Sequence, residues 1–389
     1  MNIKSSYNFP EAKLGPVFAQ DKLKEFKALI DTGVSFVTIS MPGVGVSYFL
    51  KCLACQDFAF FIYNDLYSLP TLNQHEFYRM FLRDLKGNPD GKSDEQVFLE
   101  TKEIVKNLVA KFEKVVIIFS RFDQLAKEFD ANFLSNLQAL TTIQPGKIVL
   151  IFTSIKPLHD LAPEAVTGGN LTFYSKYLYF KPYSANDLKK LLKTNPQPIS
   201  SNQNLNELIE LSGGHNQLFH ILLSSPKQNL LLDRFVKMQM KEFVDYLDYH
   251  QRKTLQKIAL VKKVVEVDEY LLGVGMIRRM GSGYELFTPL LGEYIKTNMP
   301  VKLPVKEAKL FKLLKANMGS TVSKDEIFTE VWPARNASHS DAGGVGHEEG
   351  ATDWALDALI YRLRKHPFMK TNNFVIESHK KVGYTLIQT

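Results

Sequence analysis

Short apolar runs alternate with helical stretches over roughly the first 223 residues, and this alternation restricts the fold more than any other feature of the sequence. The runs are rich in Val, Ile and Phe and show almost no polar alternation. Strands of this kind are covered on both faces, as in a parallel sheet with helices on each side. Five runs fit the description: SFVTIS (35–40), FAFFIYND (58–65), KVVIIFS (114–120), KIVLIFTS (147–154) and KYLYFKPYS (176–184). We therefore expect an α/β domain with a parallel sheet.

Length and composition indicate several globular domains. A chain of 389 residues, 45% hydrophobic and 23% charged, exceeds an ordinary single core and has the balance of a folded protein. The net charge of +7 permits an anionic partner without requiring one. Neither a signal peptide nor an apolar run of the roughly 18 residues needed to cross a bilayer is visible. We expect a cytoplasmic protein with no membrane partner.

The cysteines and histidines do not indicate a metal centre. Cys52 and Cys55 have a C-x-x-C spacing, but no second pair completes a zinc site. His339, His347 and His366 lack metal-ligand spacing. We expect no metal and two reduced cysteines, with a C-x-x-C redox motif as the alternative.

The strand signals stop after residue 224, which suggests further domains. The segment 231–261 is helical in pattern, and MIRRMGSGYELFTP (276–289) predicts a hairpin turned by GSG. A segment with two prolines, 297–307, has the composition of a linker. We predict domains at 1–230, 231–298 and 299–389, the last two being small α+β units of the winged-helix kind.

The first apolar run leads into a glycine loop and then a helix, the outline of a phosphate-binding loop. Such a loop reads GxxxxGK[ST]: its N–H groups surround the phosphates, its lysine neutralises charge and its hydroxyl holds magnesium. In SMPGVGVS the candidate nucleotide-binding residues are Gly43, Gly45 and Ser47, whereas Ser40 replaces the first glycine and Val46 replaces the lysine. The alternative is that both glycines only form a tight turn between strand and helix.

The acidic site that accompanies such a loop is also altered. In nucleotide-hydrolysing enzymes, carboxylates at the end of a second strand bind magnesium and polarise water. In VVIIFSRFDQL (115–125), Ser120 and Arg121 stand at these positions, and Asp123 follows three residues late. The loss of the lysine and of both carboxylates predicts a fold without hydrolytic activity.

Residues 17–298 resemble a P-loop ATPase of the AAA+/STAND kind. Thr153 and Ser154 stand where the family's first sensor residue belongs, and the family often has a winged helix after its helical lid. The resemblance involves FVTISMPGVGVSYFLK (36–51), VVIIFSRFDQL (115–125), KIVLIFTS (147–154) and the lid-like LSGGHNQLFHILL (211–223). It implies a P-loop NTPase-like sheet that has lost its catalytic residues. We expect no enzyme activity and no required cofactor, with residual ATP or ADP binding left open.

The final unit has the pattern of three helices and a hairpin. Ser323, with Glu326 three residues later, predicts a capped helix start. The helix in TDWALDALIYRLRKHP has one apolar stripe and a basic end. The stripe consists of Leu356, Leu359, Ile360 and Leu363. The terminal NFVIESHKKVGYTLIQT predicts two strands joined by a turn.

This unit resembles the DNA-binding effector domain of OmpR/PhoB-type response regulators. The matching residues are Asp357, Ile360, Arg362, Leu363, Arg364, Lys365, Gly383 and Tyr384. The loop 334–351 is longer than usual in the family. Because this loop region faces RNA polymerase in the family, the resemblance leaves a polymerase contact open.

The resemblance implies a helix in the major groove and a hairpin, the wing, beside it. The residues facing the groove would be Trp354, Ala355, Ala358 and Tyr361, although Trp354 could instead be buried core. Phosphate contacts would come from Arg362, Arg364 and Lys365, and wing contacts from Lys380 and Lys381. A basic helix end that only satisfies the helix dipole is the alternative.

The sequence therefore predicts a sequence-specific double-stranded DNA-binding transcriptional regulator. Its ATPase-like domain would serve as a scaffold or sensor, and self-association is left open. One alternative is a STAND-type signalling switch controlled by ATP binding. Another is a scaffold that binds protein only.

Overall fold

The computed structural model describes residues 7, 9–15, 17–194, 196, 204–225, 230–261, 267–299, 303–332, 352–366, 368–369, 374–380 and 382–388. The chain divides into two compact units. The first contains Met1–Asp248, Val267–Arg278 and Phe287–Leu290, and the second contains Tyr249–Glu266, Arg279–Leu286 and Leu291–Thr389. The segment 231–298 is thus shared between both units, and the division into three domains stays a prediction.

A five-stranded, all-parallel sheet forms the centre of the first unit, as the apolar runs predict. Its strands are β1 (Phe36–Ser40), β2 (Phe60–Asp65), β3 (Val115–Ser120), β4 (Ile148–Ser154) and β5 (Tyr177–Phe180). They lie in the order β2-β3-β4-β1-β5, so β4 is inserted between β3 and β1. Every residue of β1, β3 and β4 is buried. This burial explains why these runs lack polar alternation.

Helices surround this sheet, and side-chain caps begin several of them. They are α1 (Gln20–Thr32), α2 (Val46–Ala54), α3 (Gln74–Asp84), α4 (Asp94–Lys111), α5 (Ala131–Thr141), α6 (Leu158–Leu161), α7 (Gly169–Tyr174), α8 (Ala185–Thr194), α9 (Leu205–Ser212), α10 (Asn216–Ser224) and α11 (Arg234–Asp245). Ser93 and Gln96 form a capping box at α4, and Asp130 accepts from the N–H of Phe133 at α5. Among the described residues, 3-10 turns lie at Pro10–Leu14, Leu66–Ser68, Phe122–Glu128 and Leu230–Leu232. Together the strands and helices form the predicted α/β fold.

The region after α11 contains helices and one hairpin, as predicted. Its elements are α12 (Tyr249–Val261), α13 (Glu269–Gly273), β6 (Ile277–Met280), β7 (Gly283–Leu286) and α14 (Pro289–Asn298). The strands β6 and β7 form a sheet of their own, and Gly281 takes a positive φ of 57° in the turn between them. No described helix of the chain is both long enough and apolar enough to span a bilayer.

Helices and a three-stranded antiparallel sheet form the end of the second unit. They are α15 (Val305–Ala316), β8 (Thr321–Ser323), α16 (Lys324–Val331), α17 (Asp353–Lys365), β9 (Phe374–His379) and β10 (Gly383–Gln388), and the sheet order is β8-β10-β9. The capping box of Ser323 and Glu326 is present at α16. The apolar stripe of α17 is buried against Leu310, Leu314 and Ile327. These helices and the terminal hairpin agree with the sequence pattern.

Strand β8 is absent from the sequence prediction, which gives the final unit three helices and a hairpin. The strand has only three residues, and Val322 is its buried member. Its register joins Ser323 to Gly383 and Thr321 to Thr385 in β10. So short a strand gives no periodic signal, and only its pairing with β10 defines it.

Candidate functional site

The glycine loop lies between β1 and α2, where the sequence places it. Gly43 and Gly45 both have positive φ, 74° and 100°. A Cβ on Gly43 would come within 2.0 Å of Oε1 of Gln217, and a Cβ on Gly45 would come within 2.9 Å of Tyr183 and of Asn216. Glycine is therefore needed at both positions for the backbone conformation and for packing against α10, whether or not the loop binds phosphate.

Hydrogen bonds from other elements hold three carbonyls of this loop. The hydroxyl of Tyr183 donates to the carbonyl of Gly45 at 2.8 Å, and the N–H of Gln217 donates to that of Gly43 at 3.0 Å. Nε2 of His215 lies 2.7 Å from the carbonyl oxygen of Pro42. Since a carbonyl can only accept, Nε2 has the hydrogen. The loop is thus bonded to the segment that begins α10.

His215 is fully buried and has two bonding partners. Its Nδ1 accepts from the N–H of Leu218 at 3.2 Å and so caps α10, while its Nε2–H donates to Pro42. Burial lowers the pKa of His215 to about 4, against a smaller opposite effect of the Pro42 carbonyl. The ring is therefore neutral near physiological pH, which matches one donor and one acceptor. The histidine before a helix is a visible capping signal in the sequence, but its contact with the loop is not.

A cavity of about 500 Å³ opens at the glycine loop. Its lining includes Val46, Ser47, Asn216 and His220. Within the described part of the chain, no acceptor bonds the N–H groups of residues 45–47, so the start of α2 keeps the backbone donors of an anion site. The missing lysine has no substitute on α2. Lys51 does not line the cavity, and its Nζ lies 3.7 Å from Oε1 of Glu11.

A cation with its own counter-ion stands where the catalytic carboxylates were expected. Arg121 has a positive φ of 62°, and its guanidinium donates to both carboxylate oxygens of Asp65, at 2.7 and 2.6 Å. Its backbone N–H donates to Oγ1 of Thr153 at 2.6 Å. Oγ of Ser120 lies 3.4 Å from Oγ of Ser47. The residues at the expected sensor and acidic positions, Thr153, Ser120 and Arg121, are thus hydrogen-bonded to other protein groups. Asp65 is a partner that sequence reasoning missed.

Asp123 is the one acid that lines the described cavity. Burial raises the pKa of Asp123 to about 6, although N–H groups of Asp123 itself and of Ile155 oppose the rise. No group of three or more His, Cys, Asp or Glu residues in the described chain is arranged to hold a metal ion.

Both cysteines are free thiols, and burial raises the pKa of Cys52 to about 11.

The second candidate site is the outer face of α17. Trp354 is 81% exposed and Tyr361 is 63% exposed, so the question whether Trp354 is core is decided in favour of the surface. Ala355 and Ala358 are half-buried on this helix, and Lys365 is exposed.

The two arginines of α17 are bonded within the unit. Nε of Arg362 donates to Oε1 of Glu307 at 2.9 Å. Arg364 donates to the carbonyl of Ile376 at 3.0 and 2.8 Å and to Oγ of Ser378 at 2.6 Å, which joins α17 to β9. Sequence reasoning assigned both guanidinium groups to phosphate and did not detect these partners.

Two motif residues of the final unit also have internal roles. The hydroxyl of Tyr384 donates to Oδ1 of Asp357 at 2.7 Å, so the G-Y pair of the motif joins β10 to α17. Lys380 lies exposed in the turn between β9 and β10. Lys381 and the loop 334–351 lie outside the described residues.

The sequence matches no protein-family model and no curated protein. Among solved structures, the chain is similar to a Walker-type ATPase of Pyrococcus abyssi, with 15% identity over 72% of this chain and 96% of that chain and a TM-score of 0.47. It is also similar to the Aeropyrum pernix ORC1 protein in complex with DNA, with 12% identity, 96% and 89% coverage and a TM-score of 0.39. The chain is also similar to the Thermotoga maritima RuvB Holliday junction branch migration motor, with 15% identity over 74% of this chain and 96% of that chain and a TM-score of 0.33. The P-loop NTPase-like α/β fold of this chain follows from its own sheet order and glycine loop.

Proposed function

We propose that the protein binds double-stranded DNA in a sequence-specific manner through α17 and the β9–β10 hairpin, and thereby regulates transcription. The observation that supports this most is the outward face of α17. Two large aromatic side chains, Trp354 and Tyr361, stand exposed on it, and Lys365 follows Tyr361 on the same face, although the opposite face of the helix is fully buried. Apolar side chains contact base edges in a groove, while cations contact the phosphates.

The geometry suits a groove. A single α-helix fits the major groove, which is about 12 Å wide, and the hairpin beside it brings Lys380 to the sugar-phosphate backbone or the adjacent minor groove. Lys365 at the end of α17 supplies a second cation. Arg362 and Arg364 are exposed, but each has a hydrogen-bonding partner within the unit, so these two lysines and Lys381 are the main phosphate contacts in this proposal. Contacts with RNA polymerase and self-association are further parts of it.

The ATPase-like domain acts in this proposal as a noncatalytic scaffold or sensor. Support comes from Val46 in place of the lysine and from the pairing of Arg121 with Asp65 at the acidic position. The bonds from Tyr183, His215 and Gln217 hold three carbonyls of the loop. ATP or ADP binding without hydrolysis is the second candidate function, favoured by the unbonded N–H groups at the start of α2.

The experiment that tests DNA binding compares two lysine pairs. In the full chain, Lys380→Ala with Lys381→Ala should reduce the slope of log affinity against log salt by roughly 2, since each lost phosphate contact removes about 0.9 from it. The control pair, Lys111→Ala with Lys127→Ala, removes two exposed lysines of the first unit and should leave the slope unchanged. Equal slopes in all three proteins would exclude the hairpin from the interface.

The two other functions give different results. A protein that binds only proteins would show no salt-dependent affinity for any duplex. A nucleotide-controlled switch would bind ADP or ATP in a calorimetric titration and would change its duplex affinity when saturated with nucleotide. The proposed function requires duplex binding that is independent of nucleotide.

A further inference from the structure

The outward stripe of α17 has an unusual chemical composition for a helix that reads DNA. Trp354, Ala358, Tyr361 and Lys365 follow one another at helical spacing on the side opposite the buried stripe. Nζ of Lys365 lies 5.8 Å from the ring centroid of Tyr361. Three of these four side chains are therefore aromatic or methyl groups.

The side chains that usually read base edges by paired hydrogen bonds are absent from this stripe or bonded elsewhere. Asn and Gln, which recognise adenine, do not occur in α17. Arg, which recognises guanine, occurs twice, but Arg362 is bonded to Glu307 and Arg364 to Ile376 and Ser378.

The two acids of α17 are also engaged. Asp353 lies 3.0 Å from Nζ of Lys324, and Oδ1 of Asp357 accepts from the hydroxyl of Tyr384. A carboxylate facing the groove would read the cytosine amine. The outward stripe consequently has apolar surface, one phenol hydroxyl, one indole N–H and one amine with which to contact bases.

Apolar surface in the major groove has one specific partner, which is the methyl group of thymine. We infer that Trp354, Ala358 and Tyr361 read thymine methyl groups, so that the preferred duplex is rich in A·T pairs. This inference rests on the proposed function. Lys380 at the hairpin turn suits the same duplex, because the narrow minor groove of A-tracts has a stronger negative potential that attracts cations.

The test uses duplexes that differ only in this methyl group. Short A·T duplexes are prepared with thymine and with uracil, and a G·C duplex with cytosine and with 5-methylcytosine. The full chain should prefer thymine over uracil about four-fold per buried methyl, because about 0.8 kcal/mol per CH₂-sized group and about 1.4 kcal/mol per ten-fold give that factor. The 5-methylcytosine duplex should bind more tightly than its unmethylated counterpart.

Two protein variants connect the preference to the stripe. Trp354→Ala with Tyr361→Ala should bring the thymine-to-uracil ratio close to one without changing thermal stability, because both side chains are exposed. The control is Tyr249→Ala on α12, which removes a tyrosine that is 69% exposed and should leave the ratio unchanged.

Each outcome decides one of the two proposals. A ratio near one in the unmodified chain, together with salt-dependent duplex binding, overturns methyl readout and leaves DNA binding intact. A ratio that persists in the double variant places the readout outside this stripe and also overturns the inference. Failure to bind any duplex removes the proposed function and the inference with it.

Discussion

The glycine loop after β1 and the outer face of α17 differ in where their polar groups point. At the loop, carbonyls of Pro42, Gly43 and Gly45 accept hydrogen bonds from within the same unit. Arg121, directly after β3, is paired with Asp65. On α17, Trp354 and Tyr361 extend outward, whereas the two arginines, although exposed, have hydrogen-bonding partners within the unit. A residue that matches a functional motif is thus a stronger functional candidate when the structure leaves its side chain unbonded and exposed.

The largest expected effect is a loss of stability when the hydrogen bonds of His215 to the glycine loop are removed. His215→Ala removes a fully buried ring, a helix cap and the donor to the half-buried Pro42 carbonyl, which should cost about 3 kcal/mol of the free energy of unfolding. Urea denaturation measures it. His220→Ala, a half-buried histidine of the same helix, should cost less than about 1 kcal/mol. Equal losses would show that the bonds of His215 to the loop do not stabilise the first unit.

A second pair of variants compares two exposed cations on α17, one that is hydrogen-bonded to β9 and one that is not. Arg364→Ala removes hydrogen bonds to β9 and should lower stability by about 1 to 2 kcal/mol. Lys365→Ala, at the next residue, should change stability by less than about 0.5 kcal/mol. In duplex binding, Lys365→Ala should have the larger effect, because the loss of Lys365 reduces the slope of log affinity against log salt by about 1. If Arg364→Ala left stability unchanged and reduced the salt slope, Arg364 would be a DNA contact and not a structural residue.

The pH dependence of stability sharpens the description of the cavity. The folded pKa of Asp123 is raised, to about 6, so its stabilising effect is present below about pH 4 and is lost as the pH rises through 6. The folded pKa of His215 is lowered, so its contribution is present above about pH 6.5 and is lost as the pH falls toward 4. The two groups therefore act in opposite directions over one pH range.

Asp123→Asn should accordingly stabilise the protein slightly at neutral pH and steepen its loss of stability between about pH 6.5 and 4. Thermal unfolding across this range measures both effects. Gln124→Ala, the adjacent residue on the same turn, has no titrating group and should leave the profile unchanged. A profile unaffected by Asp123→Asn would mean that the carboxyl is not desolvated.

The smallest expected effect concerns ATP hydrolysis, which restoring the lysine of the loop should not create. Val46→Lys returns the lysine to the loop, but Ser120 and Arg121 remain in place of the carboxylates, so no magnesium-dependent ATP hydrolysis above background should appear. Phosphate release by the purified variant and by the unchanged chain checks this. Hydrolysis by the unchanged chain that disappears with Ser47→Ala would contradict the scaffold proposal.

Much of the fold could be read from local patterns. Runs of Val, Ile and Phe located all five strands of the parallel sheet, and Ser323 with Glu326 located the start of α16. Strand β8 could not be found in this way, because its pairing partner β10 lies about sixty residues away. The candidate loop was recognised from Gly43, Gly45 and Ser47, but its bond to His215 was not, since nothing local relates residues so far apart.

The sequence by itself determined which chemistry is missing from the loop, because the identity of residue 46 and of residues 120 and 121 needs no coordinates. It also determined which face of α17 is buried, because helical spacing alone separates the apolar stripe from the rest. Only the tertiary structure decided which polar side chains are available. Arg364 and Lys365 are adjacent, exposed and similarly charged, yet only Arg364 is hydrogen-bonded to β9. Hydrogen bonds between distant segments form only where folding brings donor and acceptor within about 3 Å, and this proximity depends on the whole chain.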